Sequence, residues 1–156
     1  MLLKFHDATA GDAPMIAALH NAAAGALTAR FGEGHWSTLV TERGAVQAQR
    51  HARVRVGREG GRMLTVVRLA TRKAWAIDLS YFTPVRRPLY LTGLAVAAAW
   101  PADAIRLDAY DHEAGAGPFY VKCGFVKCGF EERGRVVYKG DPLVYYELLL
   151  PVSGGR

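Results

Sequence analysis

Asp108, Asp111 and Glu113 cluster with His112 in the segment DAYDHE, the densest group of proton acceptors in the chain. Carboxylates at such a position attract a cationic group and can take a proton from it, although loop solvation and helix capping use the same side chains. Asp78 is an upstream candidate of the same kind. The other histidines, His6, His20, His35 and His51, are scattered without metal-ligand spacing, and no serine, cysteine and histidine arrangement suggests a hydrolytic triad. Cys123 and Cys128 stand five residues apart, which fits neither a C-x-x-C redox pair nor a zinc knuckle, so both are expected as free thiols and no metal is expected.

The elements that must position these groups lie between Leu89 and Phe130. LYLTGLAV, Leu89 to Val96, is rich in β-branched and aromatic residues and reads as a buried strand bracketed by Pro88 and Ala97. IRLDAYDHEAGAGPFYVKCGF, Ile105 to Phe125, reads as a strand, a glycine-containing loop and a short helix that carries Phe119 and Tyr120 and closes at Gly124.

Phe119, Tyr120, Gly124 and Phe125 match the F/L-Y-x-x-x-G-F ending of the GCN5-related N-acetyltransferase (GNAT) family, and the segment resembles the C-terminal half of that family. The resemblance extends more weakly to KFHDATAGDAPMIAALH at the start and LVYYELLL near the end. It implies direct attack of an amine on the acetyl thioester of acetyl-CoA, with no covalent enzyme intermediate. It also assigns roles. Backbone N–H groups at Leu94, Ala95 and Val96 would bind the cofactor and stabilise the oxyanion. Phe119 and Tyr120 would line the cofactor site, and Tyr120 would be the acid for the leaving thiolate, since a phenol with a pKa of ~10 suits a thiol. Asp78, Tyr81, Asp108 and Asp111 are the candidates for holding the acceptor, a small-molecule or peptide amine. Trp75, Tyr81 and Phe82 could line a substrate cleft, but core or rim packing is the preferred reading.

The piece that should join the two signatures is missing. If the strand ending at Val96 and the strand starting near Ile105 are parallel, the connection needs roughly a dozen residues or more. Ala97 to Ala104, AAAWPADA, is too short for a return helix, and Pro101 would stop one growing. In the family this gap holds an R/Q-x-x-G-x-G/A loop and a long helix whose N-terminus binds the CoA pyrophosphate. The glycine clusters at Gly32 and Gly34, Gly57 to Gly61, and Gly115 and Gly117 lack that spacing. Cofactor binding would then use a pantetheine groove between the Leu94 and Ile105 strands, with pyrophosphate contacts from Gly115 to Gly117 or from Arg86 and Arg87. The alternative is a catalytically degenerate GNAT-like binding or interaction domain. Beside this gap, Val121 to Phe125 and Val126 to Phe130 are the same pentapeptide, VKCGF, repeated in tandem. In one register the helix closes at Gly124 and the second copy bulges out as a loop; in the other it runs on to Gly129. The first is preferred.

A chain of 156 residues, 51% hydrophobic, can bury one core, and the expectation is one α/β domain over residues 1–151 with a disordered tail at 152–156. The fold class is a GNAT-like, mixed, mostly antiparallel sheet flanked by helices, lacking the usual long helix after the central strand. An apolar sheet face left uncovered would favour a homo-oligomer. No apolar stretch approaches the ~20 residues of a membrane span, and the N-terminus lacks a signal-peptide core, so a cytoplasmic protein with no membrane partner is expected. The net charge of +6 is concentrated at Arg50, Arg53, Arg55, Arg58, Arg62, Arg68, Arg72 and Lys73. Val54 and Val56 alternate with Arg53 and Arg55 before a glycine-rich turn, the pattern of a hairpin with one wet face. Helix-turn-helix, zinc and RNP patterns are absent, so nucleic acid is not expected as a partner.

The remaining elements follow from local patterns. Leu2 to His6 reads as a strand. Thr9 and Asp12 form an approximate capping box before a helix carrying Met15, Ile16, Leu19, Ala22, Ala23, Ala26 and Leu27 at helical spacing to Arg30. TERGAVQAQR reads as a second helix, Ala74 to Tyr81 as a strand, and GRVVYKGDPLVYYELLL as two strands around a KGDP turn.

Overall fold

The computed structural model describes residues 4–72, 78–91, 103–131 and 143–150. Among the described residues, seven strands and three α-helices form a mixed α/β fold whose ladders are antiparallel except for one parallel pair. The chain divides into two compact units, Met1–Ala70 with Thr92–Val96, and Thr71–Leu91 with Ala97–Arg156.

The first unit contains β1 (Lys4–Asp7), α1 (Ala13–Phe31), α2 (Glu42–His51), β2 (Arg53–Glu59) and β3 (Arg62–Ala70). β2 pairs antiparallel with β1, from Lys4↔Arg58 to Asp7↔Arg55, and with β3, from Arg53↔Leu69 to Glu59↔Arg62. Gly60 and Gly61, at φ 54° and 81°, supply the left-handed pair that a tight hairpin turn requires. Ahead of α1, the Asp12 carboxylate accepts the Thr9 N–H at 2.8 Å and the Thr9 hydroxyl at 3.0 Å. The same carboxylate pairs with Arg58. Arg53 grips Asp7 through two hydrogen bonds of 2.8 Å, so the basic hairpin spends part of its charge on its neighbouring strand. Ala13, Ile16, Ala45, Val54 and Val56 form the core here.

The buried side of α1 differs from the stripe read in the sequence. Ile16, Ala17 and Ala24 are buried, whereas Met15, Ala22, Ala23 and Ala26 are exposed. Alanines surround this helix on every side, so their spacing carries no direction.

The second unit contains β4 (Pro88–Leu91), β5 (Ala104–Tyr110), α3 (Gly117–Lys122), β6 (Val126–Glu131) and β7 (Leu143–Leu149). β5 pairs parallel with β4 from Pro88↔Ala104 to Tyr90↔Arg106, and antiparallel with β7 from Ala104↔Leu149 to Tyr110↔Leu143. β6 lies on the far side of β7, with a bulge between Lys127 and Gly129. The parallel pair needed by the two strand signatures is therefore present. Leu94, Ala95 and Val96 and most of the Ala97 to Ala104 connection lie outside the described residues, as do Trp75, the first strand of the KGDP pair and the tail at 152–156.

Two expectations are corrected. Leu79–Tyr81 is a short 3-10 turn rather than the end of a strand, because the Asp78 carboxylate accepts the Ser80 N–H at 2.9 Å and caps it. The second VKCGF copy is strand β6, not a bulged loop. The helix closes at Gly124 as expected, at φ 92°, and the chain then turns into a ladder with β7.

Candidate functional site

Tyr120 sits on α3, whose start is eased by Pro118 in the first turn. The helix ends in a Schellman motif. The Gly124 N–H donates to the Val121 carbonyl at 3.0 Å and the Phe125 N–H to the Tyr120 carbonyl at 3.1 Å. Phe125, 5% exposed, anchors this end in the core.

Three rings surround the Tyr120 ring. Phe125 meets it edge to face at 5.8 Å between centroids, and Tyr146 of β7 and Phe119 are tilted against it at 6.1 Å and 6.0 Å. Burial raises the Tyr120 pKa above the ordinary phenol value, and the nearby Cys123 thiol adds to the shift. Burial raises Tyr146 likewise, assisted by the negative field of Asp111. The site thus holds two phenols that stay protonated through the neutral range, which is the state a proton donor needs. Phe119 is 52% exposed and presents an open aromatic surface beside them.

The loop before α3 is built by close approach. The Gly115 N–H donates to the His112 carbonyl at 2.7 Å, and a Cβ on Gly115 would come within 2.2 Å of the Tyr110 carbonyl oxygen. His112 Nδ1 accepts the Ala114 N–H at 3.0 Å, so that nitrogen serves the loop. A Cβ on Gly117 would lie 2.6 Å from the Tyr146 hydroxyl oxygen. Arg87, considered above for phosphate, holds Asp103 at 2.9 Å and ties the entry of β5 to the entry of β4.

The expected acceptor residues divide between two faces. Successive residues of β7 point to opposite sides of the sheet. Tyr146 packs against Tyr120, and Asp111 acts electrostatically on Tyr146, so Asp111 belongs to the Tyr120 side. Tyr81 stacks on Tyr145 at 5.3 Å, and Asp108 is the register partner of Tyr145, so these two belong to the other side. Asp78 is exposed and caps the turn that carries Tyr81.

The Tyr145 side also carries a buried ion pair. Arg106 and Glu147, 5% and 6% exposed, face each other across β5 and β7 at 3.1 Å. Arg106 also donates to the Thr83 carbonyl at 2.6 Å and the Tyr90 hydroxyl at 3.3 Å, with its guanidinium 4.6 Å from the centre of the Phe82 ring. Glu147 accepts the Thr83 N–H at 3.1 Å. The pair therefore clamps both sides of Thr83 and fixes the segment that carries Tyr81 and Phe82. No motif announces it in the sequence; the available signal was the charged residues Arg106 and Glu147 inside two otherwise largely apolar strands. Cys128 is pushed up to about 11 by burial and then by Glu147, so its thiol is held protonated.

No family model matches the chain, and no curated protein matches it in sequence. Solved structures do match. An acetyltransferase of the GNAT family from Streptococcus agalactiae is similar with a TM-score of 0.66 at 15% identity, over 96% of each chain. An N-acetyltransferase from Staphylococcus aureus is similar with a TM-score of 0.61 at 17% identity, over 96% of this chain and 99% of that one. The structure of yncA from Salmonella typhimurium, with its cofactor acetyl-CoA, is similar with a TM-score of 0.62 at 11% identity, over 100% and 98% of the two chains. The fold is that of the GCN5-related N-acetyltransferases, with a mostly antiparallel sheet and flanking helices. Among the described residues no helix is long and apolar enough to cross a membrane.

Proposed function

We propose that this protein is an N-acetyltransferase that moves an acetyl group from acetyl-CoA to an amine of a small molecule or peptide. The observation that carries the reading is Tyr120, a protonated, ring-enclosed phenol at the Schellman end of α3 in a GNAT-like fold. The similar structure of yncA holds acetyl-CoA, which supports the same cosubstrate here. The described residues suit a thioester whose departing thiolate takes up a proton, because they offer a proton donor in Tyr120 and an apolar aromatic wall in Phe119. Acetyl-CoA supplies the acetyl group as an activated thioester.

This chain's residues would then divide the work. By resemblance to the family, backbone N–H groups of Leu94, Ala95 and Val96, which lie outside the described residues, would stabilise the oxygen that gains charge as the amine attacks. The acceptor attacks as the neutral amine, and its nitrogen releases a proton to solvent as the C–N bond forms and the C–S bond breaks. Tyr120 passes its hydroxyl proton to the departing sulfur and regains one from solvent. Asp111, the carboxylate on the Tyr120 side, would draw the cationic acceptor in. Tyr81 and Asp108, beside Tyr145, and Asp78, which caps the turn before Tyr81, could act on an acceptor only from the other side of the sheet.

A second reading, a non-catalytic domain on the same scaffold, is favoured by the missing R/Q-x-x-G-x-G/A loop. Calorimetric titration with acetyl-CoA, followed by thiol release with an alanine-started peptide, spermidine and tyramine as acceptors, separates the two. Micromolar binding with turnover supports the enzyme, and no binding by folded protein leaves only the scaffold.

A further inference from the structure

Tyr146 has a structural relation to α3 that neither the family motif nor the proposed chemistry contains. It lies on β7, opposite Leu107 of β5, and is 7% exposed. Its hydroxyl occupies the space that a side chain at position 117 would fill, since a Cβ on Gly117 would come within 2.6 Å of that oxygen. Gly117 is itself buried and begins α3. Tyr120 is three residues further on, so the two positions share a helix face. The Tyr146 ring closes the figure by packing on the Tyr120 ring at 6.1 Å.

We propose that Gly117 and Tyr146 form a socket that sets the placement of the Tyr120 phenol, which makes Tyr146 a positioning residue for acetyl transfer. The proposal rests on the acetyltransferase reading for its functional consequence, and on geometry alone for the socket.

The mechanism is steric. A side chain at 117 must displace either the Tyr146 hydroxyl or the start of α3. The first movement shifts the ring that packs on Tyr120, and the second shifts the helix that carries Tyr120. Both change the distance between the Tyr120 hydroxyl and the sheet, and proton transfer to a leaving group falls steeply with such misplacement. The clash is confined to one atom. The next nearest atom to that Cβ is Tyr146 Cζ at 3.5 Å, an ordinary contact distance. Removing the hydroxyl therefore makes room for an alanine at 117.

That reciprocity is the test, made on the full chain with two readouts. Steady-state acetyl transfer to the best of the three acceptors above gives kcat and KM. Ring-labelled tyrosine NMR of the free protein gives the Tyr120 titration, assigned by loss of its signal in Tyr120→Phe. Gly117→Ala should lower kcat about tenfold or more while acetyl-CoA Kd changes by less than about twofold. It should also move the Tyr120 titration towards the ordinary phenol value as the ring loses its cover. Adding Tyr146→Phe to Gly117→Ala should bring both back to the values of Tyr146→Phe alone. A Gly117→Ala protein with wild-type kcat and an unmoved Tyr120 titration overturns the proposal, as does a loss that Tyr146→Phe does not restore. Should Gly117→Ala fail to fold, Tyr146→Leu keeps the glycine and removes the packed ring; an unmoved Tyr120 titration in that variant overturns the socket. If the wild-type protein transfers no acetyl group, the functional reading fails, while the NMR titration still decides the socket.

Discussion

The Tyr120 carbonyl accepts the Phe125 N–H at 3.1 Å while the two rings meet edge to face at 5.8 Å. Backbone and side chain thus lock the same pair, with Gly124 turning between them at φ 92°. This is the hydrophobic contact of a Schellman motif, in which the residue after the glycine packs back on the last helical turn. It gives the F-Y-x-x-x-G-F spacing a physical meaning: the glycine permits the turn, and the final phenylalanine pins the ring-bearing turn to the core. A six-residue helix has little stability of its own and depends on such tertiary contacts. Phe125→Ala should therefore cost about 3 kcal/mol of stability in urea unfolding. It should also loosen Tyr120. A variant with wild-type stability would show that the pin is dispensable.

Tyr120→Phe keeps the ring contacts and removes only the hydroxyl group, and with it the proton to be donated. The expected outcome is a fall in kcat with acetyl-CoA affinity unchanged in calorimetry. Because burial raises the Tyr120 pKa, the donor is fully protonated below the ordinary phenol value and is lost only as pH rises through its own higher value. The wild-type pH profile should consequently show no decline from Tyr120 below pH ~10. Unchanged turnover in Tyr120→Phe would remove the acid role.

Arg106 and Glu147 should be strongly coupled. Glu147→Ala leaves a buried guanidinium without its carboxylate, and such truncation costs about 3 to 5 kcal/mol. It also deprives the Thr83 N–H of its acceptor. The double variant Arg106→Met with Glu147→Leu should recover much of the loss, because apolar replacements of similar size remove the desolvation penalty with the charge. Urea unfolding of the two variants checks the order of stability.

These networks show why local pattern and site geometry were legible to different degrees. The α2 helix, the basic hairpin, the strand starting near Ile105 and the closure at Gly124 each have a local cause in periodicity, turn glycines or capping, and they stand in the structure. The direction of α1 was not legible, because a helix with alanine on all sides has no apolar stripe to orient it. Ala74 to Tyr81 carries strand-forming residues, yet one short hydrogen bond from Ser80 to Asp78 folds its end into a turn. The division of Asp108 and Asp111 between two faces follows from β5 and β7 register, which a sequence does not reveal without knowing which strands pair. For the same reason Tyr146 attracted no attention: its partners, Gly117 and Tyr120, are about thirty residues away.

Asp12 links acid stability to the first unit. Its pKa is lowered, first by the Thr9 backbone hydrogen bond and then by the Thr9 hydroxyl and Arg58, against the opposing effect of burial. A carboxylate with a depressed folded-state pKa adds stability that is present above its unfolded value, ~3.9, and disappears as pH falls through the folded value. Asp12→Asn should lose about 2 kcal/mol at neutral pH, the net contribution of hydrogen bonds to a charged group. The wild-type advantage should shrink below pH ~4. Thermal melts of both proteins at pH 3 and pH 7 measure it; an advantage independent of pH would assign it to packing.

The tandem VKCGF offers a chemical test of which copy ends the helix. In the structure Cys123 caps α3 and is exposed, while Cys128 lies in the β6 bulge with its pKa pushed up to about 11. At pH 8 a thiol of that pKa is only ~0.1% thiolate, and thiolate is the reactive form. A disulfide reagent should therefore modify one cysteine rapidly and the other far more slowly. Cys123→Ser should abolish the fast phase, and Cys128→Ser should leave it intact. If the helix instead ran on to Gly129, Cys128 would take the cap position and Cys123 would enter the helix. The fast phase would then follow Cys128. Because the two copies are identical over five residues, their difference in rate comes from environment alone: a helix end open to solvent for one, and a strand beside a buried carboxylate for the other.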